Sequence, residues 1–174
     1  FSTRFSRHAI NLVKHGEVKY MIPTEGELTE LKSFALESLG LGDAVNNIEF
    51  TQGDACNLKS KYDEYDLVFA GNLIDRLYQP KQFLDGIKPR IKTGGFLALT
   101  SPYTWLEEFT EKQNWLGGFK VNGENYTTLD ALRDYLKPEY ELVGKPHDIP
   151  FVIRETARKH QHTVAQLTIW KKVK

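Results

Sequence analysis

Three short clusters hold the residue types able to do chemistry: Asp54-Ala55-Cys56-Asn57, Gly71-Asn72-Leu73-Ile74-Asp75-Arg76 and Ser101-Pro102-Tyr103-Thr104-Trp105. Arg76, and Arg154 further on, carry planar guanidinium groups that can hold both oxygens of a carboxylate. Glu108 and Glu155 can face an ammonium group. Tyr103 and Trp105 can wall a flat ring by stacking, and the Tyr103 hydroxyl can hydrogen-bond it. Asn72 offers an acceptor oxygen, and Asp75 can orient a ring or take a proton. Each has a plain structural alternative. Asn72 can end a strand in a turn, Asp75 can pair with a neighbouring arginine, and the two arginines can serve ion pairs. The two glutamates can sit in water, and the two aromatics can pack a core or lid. His160-Gln161-His162 puts two imidazoles on one face if extended, but no third ligand has compatible spacing, so no metal is expected.

The elements that must position these clusters follow from periodicity. The segment Phe1–His15 reads as a helix, with Phe5, Ala9, Leu12 and Val13 on one face and Gly16 ending it. Residues Glu17–Pro23 form a strand or a linker. Thr24-Glu25-Gly26-Glu27 has the form of a capping box opening a helix with Leu28, Leu31, Ala35 and Leu39 inward. Ile48-Glu49-Phe50 reads as a short strand leading into the first cluster. Asp66–Gly71 is a continuous apolar run, the pattern of a strand buried on both faces. Pro80 suits a first helical position, with Phe83, Leu84, Ile87 and Ile91 as the apolar stripe. Pro89 makes the end of that helix uncertain.

Gly94-Gly95 turns the chain into a second buried strand, Phe96–Thr100. Gly117-Gly118 and Asn122-Gly123 mark loops or a hairpin. Thr128 can cap a helix through Leu136. Tyr140–Val143 reads as a strand, and Thr163–Trp170 as an antiparallel strand near a sheet edge. Strands alternating with helices predict an α/β layered sheet with an antiparallel ending. Ligands of open α/β sheets sit at the carboxyl ends of strands, where all three clusters fall.

The chain has 174 residues, 23 basic and 23 acidic, with one cysteine. One compact domain, 1–174, is the expectation at this length. Zero net charge disfavours nucleic-acid binding by bulk electrostatics. No apolar stretch approaches the roughly 20 residues that span a bilayer, so no membrane is expected. A lone cysteine excludes an internal disulfide framework and fits a reducing cytoplasm.

This layout resembles the later part of a class I S-adenosylmethionine-dependent methyltransferase. In that family an acidic residue after the third strand contacts the adenine amino group, and Asp54 matches it. Residues after the fourth strand face the methyl group and the acceptor; here they are Gly71, Asn72 and Leu73. A closer resemblance lies in longer strings. They are Phe69-Ala70-Gly71-Asn72-Leu73-Ile74-Asp75-Arg76-Leu77, Leu99 to Thr110 with Trp115-Leu116-Gly117-Gly118, and Pro150-Phe151-Val152-Ile153-Arg154-Glu155-Thr156 continuing through His160-Gln161-His162-Thr163-Val164. Together they are similar to the C-terminal methyltransferase domain of the ovothiol-biosynthesis enzymes, the 5-histidylcysteine sulfoxide synthases, over nearly the whole chain.

The resemblance implies a three-layer Rossmann-like sheet ending in an antiparallel hairpin, with its first strands missing from this chain. It implies methyl transfer from S-adenosylmethionine to an imidazole nitrogen of 5-thiohistidine (4-mercaptohistidine), giving ovothiol A. Asn72, Asp75 and Tyr103 become the catalytic candidates. Arg76, Thr104, Trp105, Glu108, Arg154 and Glu155 become the substrate-binding ones. Phe1, Ser2, Asp54, Ala55, Cys56, Gly71, Asn72 and Leu73 become the cofactor-binding ones. The implied partners are thiohistidine and upstream sulfoxide synthase domains of the same polypeptide.

The family's glycine-rich cofactor loop is absent. Gly40-Leu41-Gly42 follows a predicted helix without a third glycine at Ala44 or Val45. Truncation is the simplest account: an acidic ribose-binding residue is expected just before Phe1, and a glycine-rich loop about 20 residues before that. A short-chain dehydrogenase would need a Tyr-x-x-x-Lys pair, and Tyr103 is followed at that spacing by Glu107. The alternatives are a non-catalytic cofactor-binding or docking lobe, and a methyltransferase for another small amine or imidazole.

Overall fold

The computed structural model describes residues 3–174, apart from the Arg4 side chain. In chain order the elements are α1 (Thr3–His15), β1 (Glu17–Glu25), β2 (Leu28–Ala35), β3 (Tyr65–Gly71), α2 (Pro80–Ile87), β4 (Ile91–Ser101), β5 (Phe119–Val121), β6 (Glu124–Tyr126), α3 (Thr128–Leu136), β7 (Tyr140–Leu142), β8 (His147–Arg154) and β9 (His160–Lys172). The result is a mixed α/β fold with a central sheet. Contacts divide the chain into two compact units, Phe1–Asp54 with Val152–His162, and Ala55–Phe151 with Thr163–Lys174.

In the first unit, α1 ends where expected. Gly16 adopts φ 72°, which costs an L side chain but not glycine, and its N–H donates to the Leu12 carbonyl at 2.7 Å. The helix expected from Thr24 does not form. Residues 28–35 are strand β2, paired antiparallel with β1 from Glu17↔Ala35 to Glu25↔Leu28. The Thr24 hydroxyl donates to the Leu28 carbonyl across the turn, 3.1 Å away, so it closes a hairpin and caps no helix. Gly26, at φ 55°, supplies the left-handed residue of that turn. Leu28 and Leu31 are mostly exposed, so their helix-like spacing carries no buried stripe. Residues 48–50, expected as a strand, lie outside the paired strands.

The second unit holds most of the core and the sheet order β3-β4-β9-β7, with β8 also pairing β9. Strands β3 and β4 are parallel, from Leu67↔Phe96 to Gly71↔Thr100. Strand β9 is antiparallel to both β4 and β7. It is the antiparallel strand next to the edge strand β7, in keeping with the expectation of a strand near a sheet edge. Its alternation reflects a polar Thr168 that is itself buried and accepts from the Trp170 indole N–H at 3.0 Å. Strand β8 went unread, because Pro150 and its mixed polarity mask the strand pattern.

The apolar run in β3 is also not buried on both faces. Leu67 is 58% and Phe69 64% exposed, because β3 turns only Val68 and Ala70 inward, and Phe96 opposite Leu67 on β4 is exposed too. Strand β4 is covered on both sides over Leu97, Ala98 and Leu99, all buried. It begins at Ile91, which belongs to the strand and not to the preceding helical stripe.

Helix α2 begins with Pro80 at its first turn and stops at Ile87. One 3-10 turn, Lys88–Arg90, follows because Pro89 has no N–H to continue the ladder. Phe83, Leu84 and Ile87 join Leu97, Leu132, Leu136, Tyr140 and Trp170 in one apolar cluster. Fully burying each such side chain stabilises the fold by about 1.5–3 kcal/mol before conformational entropy is counted. Arg90 ties this end to the 58–62 segment, donating to the carbonyls of Leu58, Lys59 and Tyr62.

Asn122 (φ 51°) and Gly123 (φ 87°) form a left-handed pair joining β5 to β6, as their sequence predicts. The cap of α3 is Thr127, one residue before the expected Thr128. Its hydroxyl accepts from the Asp130 N–H at 3.1 Å, and Asp130 accepts in return from the Thr127 N–H. Thr127→Ala should lower stability by about 1 kcal/mol in urea titration. An unchanged midpoint would mean the box contributes nothing.

Candidate functional site

The parallel register of β3 and β4 brings their carboxyl ends side by side, Gly71 opposite Thr100. Both strands then end in left-handed backbone at a residue that is not glycine: Asn72 at φ 50° and Tyr103 at φ 51°. Asparagine tolerates this region through its short polar side chain; tyrosine does so only when its surroundings hold it there. Those surroundings are visible. The Asn72 N–H donates to the Thr100 carbonyl at 2.8 Å and reaches Thr100 Oγ1 at 3.1 Å. The Thr100 hydroxyl donates to Asn72 Oδ1 at 3.2 Å. The Tyr103 N–H donates to the buried Ser101 hydroxyl at 3.0 Å.

Beneath this edge lies a charged clasp. Asp75 is fully buried on the 3-10 turn Ile74–Arg76. Its Oδ2 accepts from Arg76 Nη1 at 2.9 Å, from the Thr104 N–H at 3.0 Å and from the Thr104 hydroxyl at 3.1 Å. Arg76 also donates to the Asp75 carbonyl, the Thr104 carbonyl and Thr104 Oγ1. Its guanidinium lies 5.0 Å from the Phe109 ring centroid. Among the described residues Asp75 Oδ1 has no hydrogen-bond partner although it is buried. The guanidinium fork of Arg76 is thus directed at protein acceptors.

The Tyr103 hydroxyl reaches Gln166 Oε1 at 3.4 Å. Burial, and after it the Asp75 charge, pushes the Tyr103 phenol up to about 12. Burial and then Glu139 push Tyr140 up to about 12 as well. A phenol raised above its unfolded value of 10.0 favours the protonated, folded form. Its contribution is complete below pH 10 and is lost as pH rises toward 12. Stability should therefore fall across that window, and Tyr103→Phe should flatten part of the fall in denaturation midpoints read at successive pH values. An identical slope in that variant would overturn this assignment.

Trp105 is buried. It stacks on Trp115 with centroids 6.2 Å apart and donates from its indole N–H to Thr128 Oγ1 at 2.9 Å. Glu108 stands exposed in the turn that follows. Cys56 is buried, its Sγ 3.3 Å from the Gln79 carbonyl, and Ala55 is half-buried beside it.

The structure therefore brings together Gly71, Asn72, Leu73, Asp75, Arg76, Tyr103 and Thr104. Asp54, Arg154 and Glu155 belong to the first unit. There the Arg154 Nε donates to the Thr156 carbonyl at 3.1 Å, and Glu155 pairs with Lys159. Phe1 and Ser2 lie outside the described residues. Sequence reasoning missed Thr100, Phe109, Thr128 and Gln166 as site residues. Their partners lie 23 to 63 residues away for Thr100, Thr128 and Gln166, and no local spacing signals that. Among the described residues, no group of three or more His, Cys, Asp and Glu side chains comes together to hold a metal ion, and no helix is long and apolar enough to cross a membrane.

No family model matches the chain, and no curated protein matches it. Among solved structures, it is similar to one described under the conversion of a disulfide bond into a thioacetal group during echinomycin biosynthesis. The identity is 13%, the match covers 79% of this chain and 62% of that one, and the TM-score is 0.48. It is similar to a SAM-dependent methyltransferase from Methanosarcina mazei at 14% identity, covering 79% and 78% of the two chains, with a TM-score of 0.46. It is also similar to a precorrin-6y C5,15-methyltransferase from Geobacter metallireducens at 16% identity, covering 78% and 59%, with a TM-score of 0.41. The chain thus spans less than two thirds of the length of the first and last of these.

Proposed function

We propose that this chain forms part of an enzyme that methylates an imidazole nitrogen of 5-thiohistidine, with S-adenosylmethionine as methyl donor, beside sulfoxide synthase domains of the same polypeptide. The observation that carries this reading is the pair of strand ends held in left-handed backbone, Asn72 and Tyr103, above the Asp75–Arg76–Thr104 clasp. The strings through these same residues supply the substrate.

The residues fit such a cofactor at its methyl end. Gly71 offers bare backbone at the sheet edge, where a Cβ would lie 2.9 Å from the Phe69 ring, and Asn72 turns the chain aside. Gly71, Asn72 and Leu73 would hold that end. S-adenosylmethionine supplies a methyl group on a positively charged sulfur, open to in-line displacement.

The chain's own task would be to aim the ring nitrogen's lone pair at that methyl group. The other ring nitrogen must carry the proton, so an acceptor must hold its N–H. Asn72 Oδ1 accepts one bond from Thr100 and retains a second lone pair for that role. Tyr103 walls the ring. Asp75, being buried, acts as a positioning residue that holds Thr104, and with it Tyr103, against the end of β3. Catalysis of this kind is mostly placement of nucleophile and methyl group.

The test incubates the full protein with S-adenosylmethionine and either 5-thiohistidine or histidine, and follows methyl transfer by mass spectrometry. One methyl group on the thiohistidine ring alone is expected. Asn72→Ala should lower kcat about 10²-fold. Cofactor binding without transfer to either compound would overturn the reading.

A further inference from the structure

We infer that the second unit carries a separate binding site for a planar aromatic anion, in a cavity between the 3-10 turn at Lys112–Asn114, the β5–β6 hairpin and helices α2 and α3. The cavity encloses about 450 Å³. Its walls include Trp115, Phe119, Tyr126 and Tyr135, with Lys81 and Lys112 at its border. None of residues 71–76 or 103–104 lines it, so it is not the strand-end site.

The chemistry of the walls selects the ligand. Four aromatic rings around one cavity favour a flat apolar body, which stacks or meets ring edges. Phe119 and Tyr126 already stand with centroids 5.7 Å apart and planes tilted by 37°. Both phenol hydroxyls are spent within the protein. Tyr126 donates to Asp134 Oδ2 at 2.9 Å, and Tyr135 donates to Asp85 Oδ2 at 2.7 Å. Gln113 donates to Glu111. The charged donors left for a ligand are the two ammonium groups.

Neither lysine makes an ion pair among the described residues, and Lys112 lies only over the Trp115 ring, 6.0 Å from its centroid. Asp134 is the one carboxylate on the wall, and its Oδ2 is engaged by Tyr126. Asp134, Asp85 and Glu111 are each engaged by a wall side chain, Tyr126, Tyr135 and Gln113 in turn, whereas the two lysines are unpaired among the described residues. A flat ring bearing a carboxylate or sulfonate satisfies both halves: the ring displaces water from the aromatic walls, and the anion meets Lys81 and Lys112 at the rim.

The test titrates the full protein with 2-naphthoate by calorimetry, with 2-naphthalenemethanol as the neutral isostere. Naphthoate should bind with a Kd at or below about 1 mM, and the alcohol at least about tenfold more weakly. K81Q/K112Q should weaken naphthoate about tenfold, while K81R/K112R should stay within about threefold of the parent. Both lysines are exposed and outside the core, so circular dichroism of these variants should match the parent. No binding at millimolar naphthoate, equal binding of the alcohol, or equal binding by K81Q/K112Q would each overturn the proposal.

Discussion

Replacing Arg76 with methionine should lower stability by about 2–3 kcal/mol in chemical denaturation, more than Asp75→Asn does. The reason is the asymmetry of the clasp. Asp75 has no exposure at all, whereas the Arg76 side chain is 34% exposed. Breaking a fully buried pair by removing one partner costs about 3–5 kcal/mol, because the other charge stays unpaired out of water. Water reaches part of Arg76, so the loss here lies below that range. In Asp75→Asn the remaining oxygen still accepts from the Thr104 N–H, and Arg76 can turn toward solvent. That change should cost about 1–2 kcal/mol.

The double variant should be more stable than the sum of the two losses implies, by about 1 kcal/mol or more, since each single change already removes the shared bond. Strictly additive losses would show that the two side chains do not act as a unit. Under the proposed function, the same variants should slow methyl transfer through a misplaced Tyr103, with Asp75→Asn milder than Arg76→Met.

Trp105→Ala should be the most damaging single change considered, at about 3–5 kcal/mol, the usual cost of emptying a buried indole site. Three losses combine. The Trp115 ring loses its stacking partner at 6.2 Å. The buried Thr128 Oγ1 loses its donor. The 103–105 segment loses its anchor on the first turn of α3, and Thr104 is the residue that holds Asp75. Trp105→Phe keeps the ring and should cost only the hydrogen bond and part of the packing, about 1–2 kcal/mol. In thermal unfolding the alanine variant should melt roughly 10 °C below the parent. Equal melting of the two variants would mean that the indole N–H, and not the packing, accounts for the effect.

Local chemistry was legible where a few adjacent residues decide the backbone. Gly16 after His15, Pro80 at a first turn, Pro89 as a stop and Asn122-Gly123 as a hairpin turn all behave as their side chains require. The failures share one cause. Leu28, Leu31 and Ala35 stand at helical spacing, yet residues 28–35 pair with β1, and pairing across a turn is a property of two segments at once. The Thr24 hydroxyl could bond either a helix N–H or a cross-turn carbonyl, and the hairpin chose the second. For β3, an apolar run says that a strand is apolar but not which strands flank it. The face that carries Leu67 and Phe69, and Phe96 beside them on β4, is left exposed.

The sequence by itself determined which residue types stand at the ends of the apolar strands, the single thiol, the neutral charge and the punctuation of turns. These depend on side-chain chemistry and on steps of one to four residues. Tertiary structure alone decided that Asp75 is buried rather than presented, that Thr104 bridges it to Arg76, and that Thr100, Thr128 and Gln166 hold Asn72, Trp105 and Tyr103. The Asn72 and Asp75 contacts arise because a parallel pair of strands sets residues nearly thirty positions apart side by side, Gln166 arrives on antiparallel β9 and Thr128 on α3, and no local pattern encodes those adjacencies.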